Sequence, residues 1–224
     1  MKRTKLKDRT LPDYSRGEEI ANTVSHLVGG AFGVIVLVSC VLVAALYGDA
    51  WAVVGSSIYG GSMILLYTMS SVYHGLHHPT AKKVMQVIDH CTIYLLIGGT
   101  YTPILLTAIR RVSPGWAWTI FGIVWGLAAM AATFTAIDLK KYAKLSMICY
   151  IGMGWCIVIA ADIAIAAIPL PGLLWLLGGG IAYSVGAVLY SLGKKKRYMH
   201  TTFHLFTLVG SVMQYICILW YILL

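Results

Sequence analysis

The sequence has 224 residues, of which 59% are apolar and only 11% charged, and its mean hydropathy is +0.79. A soluble domain of this length needs far more polar side chains to cover its surface, so lipid is the solvent this surface is built for. The formal net charge of +9 does not point to nucleic acid, because the basic residues fall in short clusters between long apolar runs and do not form one exposed face.

Residues 1–20 are polar and strongly basic and read as a cytoplasmic tail. After them the chain predicts an all-α fold, a single transmembrane domain over 21–224 built as a seven-helix bundle. A spanning helix needs about 20 mostly apolar residues. Seven stretches meet this, at 24–47, 51–74, 86–108, 115–137, 145–167, 172–192 and 201–223. The first run is long enough to remain as a helix, and no signal-peptide cleavage site follows the basic N-terminus. Cys40, Cys91, Cys149, Cys156 and Cys217 all fall inside apolar runs without paired spacing, so they read as small packing residues. Gly29/Gly33, Ser57/Gly61, Gly122/Gly126 and Gly178 to Gly180 read as close-packing positions.

Orientation follows from the lysines and arginines between spans. The N-terminal tail carries Lys2, Arg3, Lys5, Lys7, Arg9 and Arg16. The second connection has Lys82 and Lys83, the fourth Lys140, Lys141 and Lys144, and the sixth Lys194, Lys195, Lys196 and Arg197. These fifteen share one side, and only Arg110 and Arg111 fall on the other. The expected topology therefore has the N-terminus in the cytoplasm and the C-terminus outside. Trp51, Trp116 and Trp118 fall at the predicted outer ends, where an aromatic belt belongs.

Ionisable residues inside spans cost a few kcal/mol each and call for an explanation. His26, His74, Asp89, His90, His200 and His204 are of this kind, and Glu19, Asn22 and Ser70 lie close to them in sequence. With the expected topology, His74, Asp89 and His204 all lie on the order of 10 Å from the inner basic boundary. Residues from four helices thus converge on one layer. His200 and His204 are four apart and share a helix face, and Ser70 lies one turn before His74. Three neutral imidazoles leave a tetrahedral cation one open position, as in catalytic zinc sites, and Asp89 is then the natural base for water there. A hydrogen-bonded proton relay without metal is the competing reading. Glu19, Asn22 and His26 form one stripe that either caps the first span or lines the site. His90 reads as a packing or hydrogen-bonding histidine, His77 and His78 as solvated, and Asp162 as without chemistry.

The motifs Glu19-xx-Asn22-xxx-His26, Ser70-xxx-His74, Asp89 followed by His90-Cys91-Thr92-Ile93-Tyr94-Leu95-Leu96-Ile97-Gly98, and His200-xxx-His204 resemble the hemolysin III branch of the progestin and adipoQ receptor family. The match spans nearly the whole chain, with each motif on the expected helix. The resemblance implies zinc held by His74, His200 and His204, with Asp89 holding the water at the metal and Ser70 nearby. It also implies kinship with the alkaline ceramidases, which hydrolyse lipid amides.

Three functions compete on this reading. The first is a zinc-dependent hydrolase of a lipid amide or ester bond, with membrane lipids as substrate, in a bacterial inner membrane. The second is a membrane sensor or regulator with structural zinc. The third is a pore or cytolytic protein, which needs a polar path across the whole bilayer.

Overall fold

The computed structural model describes residues 3–192 and 196–224, so Lys2, Lys194 and Lys195 of the charge count lie outside the described residues. Among the described residues there is no strand, and seven helices are long and apolar enough to cross a membrane. They are α1 (Arg16–Tyr47), α2 (Ala50–Gly75), α3 (Pro79–Val112), α4 (Pro114–Ile137), α5 (Ala143–Ala167), α6 (Leu170–Leu192) and α7 (Met199–Leu223). Consecutive helices run antiparallel through short connections. One end of the bundle therefore collects the starts of α1, α3, α5 and α7 together with the end of α2. All the candidate site residues lie toward this end, called here the histidine end.

The apolar windows placed the helices well, but polar helical turns extend two of them. The α1 helix begins at Arg16 because Ser15 forms a capping box, its Oγ accepting from the Glu18 amide at 3.4 Å while Glu18 Oε2 accepts from the Ser15 amide at 2.9 Å. The tail expected over 1–20 thus ends at Ser15, and Glu19 and Asn22 are helical residues that line the site and leave the capping to Ser15. The α3 helix starts at Pro79, whose fixed φ suits a first helical position, and His78 caps it through the Ala81 amide at 3.4 Å. Lys82 and Lys83, expected in a connection, are therefore in the first turns of α3, while Arg110 and Arg111 form its last turn.

The α3 helix is the axis of the bundle. Its most apolar window is 83% buried, against 22–50% for the other helices. After Pro103 it loosens into a π-helical stretch over Ile104–Ile109, whose residues are all buried, so other protein elements and not lipid surround the irregular backbone. The α5 helix, expected as one run, breaks into a helix over Ala143–Gly154, a 3-10 stretch over Cys156–Ala160 and a last helix over Ala161–Ala167. Tyr101 of α3 repairs the break. Its hydroxyl donates to the Gly154 carbonyl at 2.9 Å and accepts from the Ile157 amide at 3.1 Å.

Glycine packing follows the helix faces only in part. A Cβ on Gly29 would run into the Tyr67 ring, and one on Gly33 would press on Ile64, so this pair does seat α1 against α2. Gly178 and Gly179 likewise meet Met213 and Gln214 of α7. Gly61, Gly122 and Gly126 face open space, so the Ser57/Gly61 and Gly122/Gly126 pairs do not pack; α2 uses Gly60 and Gly55 against Leu37 and Pro103 instead. The five cysteines are free, as expected. At the end opposite the histidines, Arg110 Nη2 donates to Asp49 Oδ2 at 2.7 Å and lies over the Trp51 ring. Hydrogen bonding from the Ala52 amide and the nearby Arg110 hold the Asp49 carboxyl below its usual range.

The N-terminal segment folds back over the histidine end. The Thr4 amide donates to Asp138 Oδ2 at 2.9 Å, Arg9 Nη2 to the Ile137 carbonyl at 3.2 Å, and Lys83 Nζ to the Lys7 carbonyl at 3.0 Å. Hydrogen bonds from Thr4 pull the Asp138 carboxyl down to about 2.

Candidate metal centre

His74 sits in the last turn of α2, and His200 and His204 in the first two turns of α7. One nitrogen from each ring falls within 4.8 Å of the others. His200 Nε2 is 3.1 Å from His74 Nε2 and 3.0 Å from His204 Nε2. Zinc–nitrogen bonds of about 2.0–2.1 Å set tetrahedral ligand edges of about 3.3–3.4 Å, so these nitrogens are already near ligand spacing.

The outer nitrogens determine which way the lone pairs face. His74 Nδ1 lies 2.7 Å from Glu19 Oε2, and a carboxylate only accepts, so Nδ1 carries the proton and Nε2 the lone pair. Ser25 Oγ gives its single proton to the Asn22 carbonyl at 3.0 Å, so at 3.2 Å it accepts from His204 Nδ1. Two lone pairs therefore converge on His200 Nε2 in a buried space. A cation held among the three Nε2 atoms would be met by both of these lone pairs, and the donor set fits zinc. The stripe on α1 is the support of this centre: Glu19 orients His74, Ser25 orients His204, and His26 stacks on His204. Asn22 Oδ1 accepts from Thr201 Oγ1 at 2.6 Å and ties α1 to α7.

Two of these supporting residues escaped the sequence reading. Ser25 has no signal beyond its place beside His26. Lys82 looked like a topology charge, yet it is only 8% exposed and its Nζ lies 2.8 Å from Glu19 Oε1. Aromatic rings close the centre from the N-terminal side. Tyr14 stacks on His200 with centroids 5.2 Å apart, and Tyr73 and Tyr190 pack against His74 and His200. Burial pushes the Tyr14 phenol well up, so it is a neutral hydroxyl there.

Ser70 and Asp89 are buried and line a cavity of about 160 Å³ together with His26, His200 and His204. Ser70 and Asp89 face this cavity from α2 and α3 respectively. His90 Nδ1 donates to the Gln86 carbonyl at 2.8 Å and lies 3.7 Å from Asp89 Oδ2, a hydrogen-bonding histidine that also borders the cavity. A second cavity of about 310 Å³ adjoins the first at Tyr101, Gly154, Trp155 and Gly180, and continues between the broken α5 and α6 past exposed Val158 and Leu177. His77 and His78 are exposed, as expected, and Asp162 is exposed too, away from the histidine cluster.

Residues 14–215 match the family described as haemolysin-III related. The chain belongs to this family. It is 41% identical over 206 residues to the "Hemolysin-3" of Bacillus cereus, covering 92% of each chain. It is 39% identical over 204 residues to the "Hemolysin-3 homolog" of Bacillus subtilis (strain 168), covering 91% of this chain and 94% of the relative. More distantly, it is 25% identical over 208 residues to the "Monocyte to macrophage differentiation factor" of Homo sapiens, covering 90% and 83% of the two. A haemolysin-III-related membrane protein with seven candidate spans and a three-histidine cluster able to hold a metal is thus what the fold, the site and the comparisons agree on.

Proposed function

We propose that this haemolysin-III-related protein is a zinc-dependent hydrolase of a lipid amide or ester bond, acting near the cytoplasmic side of a bacterial inner membrane. The observation that carries the reading is one buried cavity holding His200, His204, Ser70 and Asp89 and opening into apolar space between α5 and α6. His74, His200 and His204 would hold the zinc, which when bound supplies Lewis-acid polarisation and water of lowered pKa.

The chain's own residues do the rest. Glu19 and Ser25 keep both imidazoles pointing their Nε2 inward. Asp89 takes the proton of the attacking water at a carboxylate oxygen and returns it to the leaving group, with Ser70 lining the same cavity as a polar group for the substrate. The apolar cavity walls receive the hydrocarbon part of the substrate and keep bulk water out. The loose α5–α6 seam offers lateral entry from the bilayer. A cytolytic role, which the name of the Bacillus cereus relative suggests for that protein, is less favoured here because the second cavity is lined mainly by apolar residues such as Ile104, Ile157, Val158 and Leu173.

A structural zinc in a sensor is the second reading, favoured by Tyr14 and its segment closing over the histidines. Hydrolysis of fluorogenic lipid amides and esters by purified protein, with and without a chelator, separates the two. Asp89→Asn keeps the shape but is a very poor base, so it should retain zinc and lose about 10²–10⁴ in rate. Full activity of Asp89→Asn with zinc bound would remove Asp89 as the base. Absence of hydrolysis across lipid classes would favour the sensor.

A further inference from the structure

Lys82 sits where three helices meet at the metal centre. Its ammonium has three donors, and each has an acceptor: Glu19 Oε1 of α1 at 2.8 Å, and the His74 and Leu76 carbonyls at the end of α2 at 3.2 and 3.1 Å. Those carbonyls belong to the group that a helix end leaves without intrahelical partners, and a cation there is favoured by the helix dipole. The methylene stem brings the same ammonium to 5.2 Å from the centre of the Tyr73 ring.

Glu19 divides its two oxygens, Oε1 to Lys82 and Oε2 to His74 Nδ1. One ammonium thus grips the backbone of a metal-ligating residue directly and the ring of the same residue through a carboxylate. We propose that Lys82 is a positioning residue of the metal centre, holding Glu19 so that His74 keeps its Nε2 lone pair inward and thereby setting the site's affinity for zinc. Without the ammonium, Glu19 loses the partner that fixes one oxygen. Its carboxylate, with a side chain 21% exposed, is then free to turn toward water and release the His74 ring. The proposal rests on reading the three histidines as a metal centre.

The test is a double-mutant cycle on the zinc dissociation constant of the full chain in detergent, measured by competition with a chelating dye. Lys82→Met is expected to weaken zinc by about 10–100-fold, the range for loss of a group that orients a ligand. Lys82→Arg should recover most of that affinity. Because the proposed effect on zinc runs through Glu19 and the His74 ring, with the backbone contacts only seating the lysine, Lys82→Met combined with Glu19→Gln should lose little more than Glu19→Gln alone. Should Lys82→Met fail to fold, Lys82→Gln keeps a donor for the α2 carbonyls without the charge and should show the same weakened zinc. Unchanged affinity in the folded Lys82 variant overturns the proposal, and so do losses that simply multiply in the double variant. Wild-type protein that binds no zinc would instead sink the metal-centre reading, a result distinct from zinc-loaded protein indifferent to Lys82.

Discussion

The imidazole of His26 lies flat on that of His204, with ring centroids 3.5 Å apart and planes 15° from parallel. Among the described residues neither nitrogen of His26 has a hydrogen-bond partner, although the side chain is buried. The ring face is what His26 contributes: together with Ser25 on Nδ1 it pins the His204 ring from the side, while Tyr67 meets His26 edge-on at 5.0 Å.

His26→Ala should therefore weaken zinc binding by about 2–10-fold, the equivalent of one lost aromatic contact of roughly 0.5–1.5 kcal/mol. His26→Phe keeps a flat face and should stay close to wild type. Zinc titration of both variants checks this. Equal losses in the two would mean that the nitrogens matter and not the stack.

Purified protein should carry about one zinc per chain, and His74→Ala, His200→Ala or His204→Ala should each remove most of it. His77→Ala, at an exposed position three residues beyond His74, should leave the metal content unchanged. Elemental analysis decides, and retention of zinc in all three ligand variants would reject this ligand set.

Seven spans would leave the two ends of the chain on opposite sides, and the lysine and arginine count predicts that the histidine end is cytoplasmic. Reporter fusions at the two ends should show a cytoplasmic N-terminus and an external C-terminus. Termini on the same side would contradict the seven-span bundle.

The clip between Thr4 and Asp138 should be pH-sensitive in acid only. The Asp138 carboxyl is held at about 2 in the folded protein against 3.8 for the free group. A lowered folded pKa means the stabilisation is fully present above about pH 4 and is lost as the pH falls toward 2. Protection of the Thr4 amide from exchange, compared with Asp138→Asn at the same pH, should be high at pH 5 and converge with the variant near pH 2. A constant difference across that range would show that the charge of Asp138 is not what holds the segment.

Hydropathy determined the helix number and the fold class, and with the basic boundaries it gave the level of each polar residue along the bundle, because lipid demands a continuous apolar stretch and a helix converts residue count into distance at about 1.5 Å per residue. His74, Asp89, His200 and His204 could be placed in one layer for that reason, and the four-residue spacing of His200 and His204 put them on one face. Ser15 shows where this reasoning stops: a single capping box carried α1 below the apolar window, and hydropathy does not see a cap.

Which helix faces meet, and which polar neighbour each histidine finds, only the tertiary structure decided. Rotation of a helix about its axis leaves its hydropathy unchanged, so Ser57/Gly61 and Gly122/Gly126 looked as suited to packing as Gly29/Gly33 yet turned toward open space. Lys82 is the sharper case. A lysine at a membrane boundary reads as a solvated charge, because burying it alone is costly. It is buried here because Glu19, distant in sequence, and the free carbonyls of His74 and Leu76 at the end of α2 together satisfy its three donors.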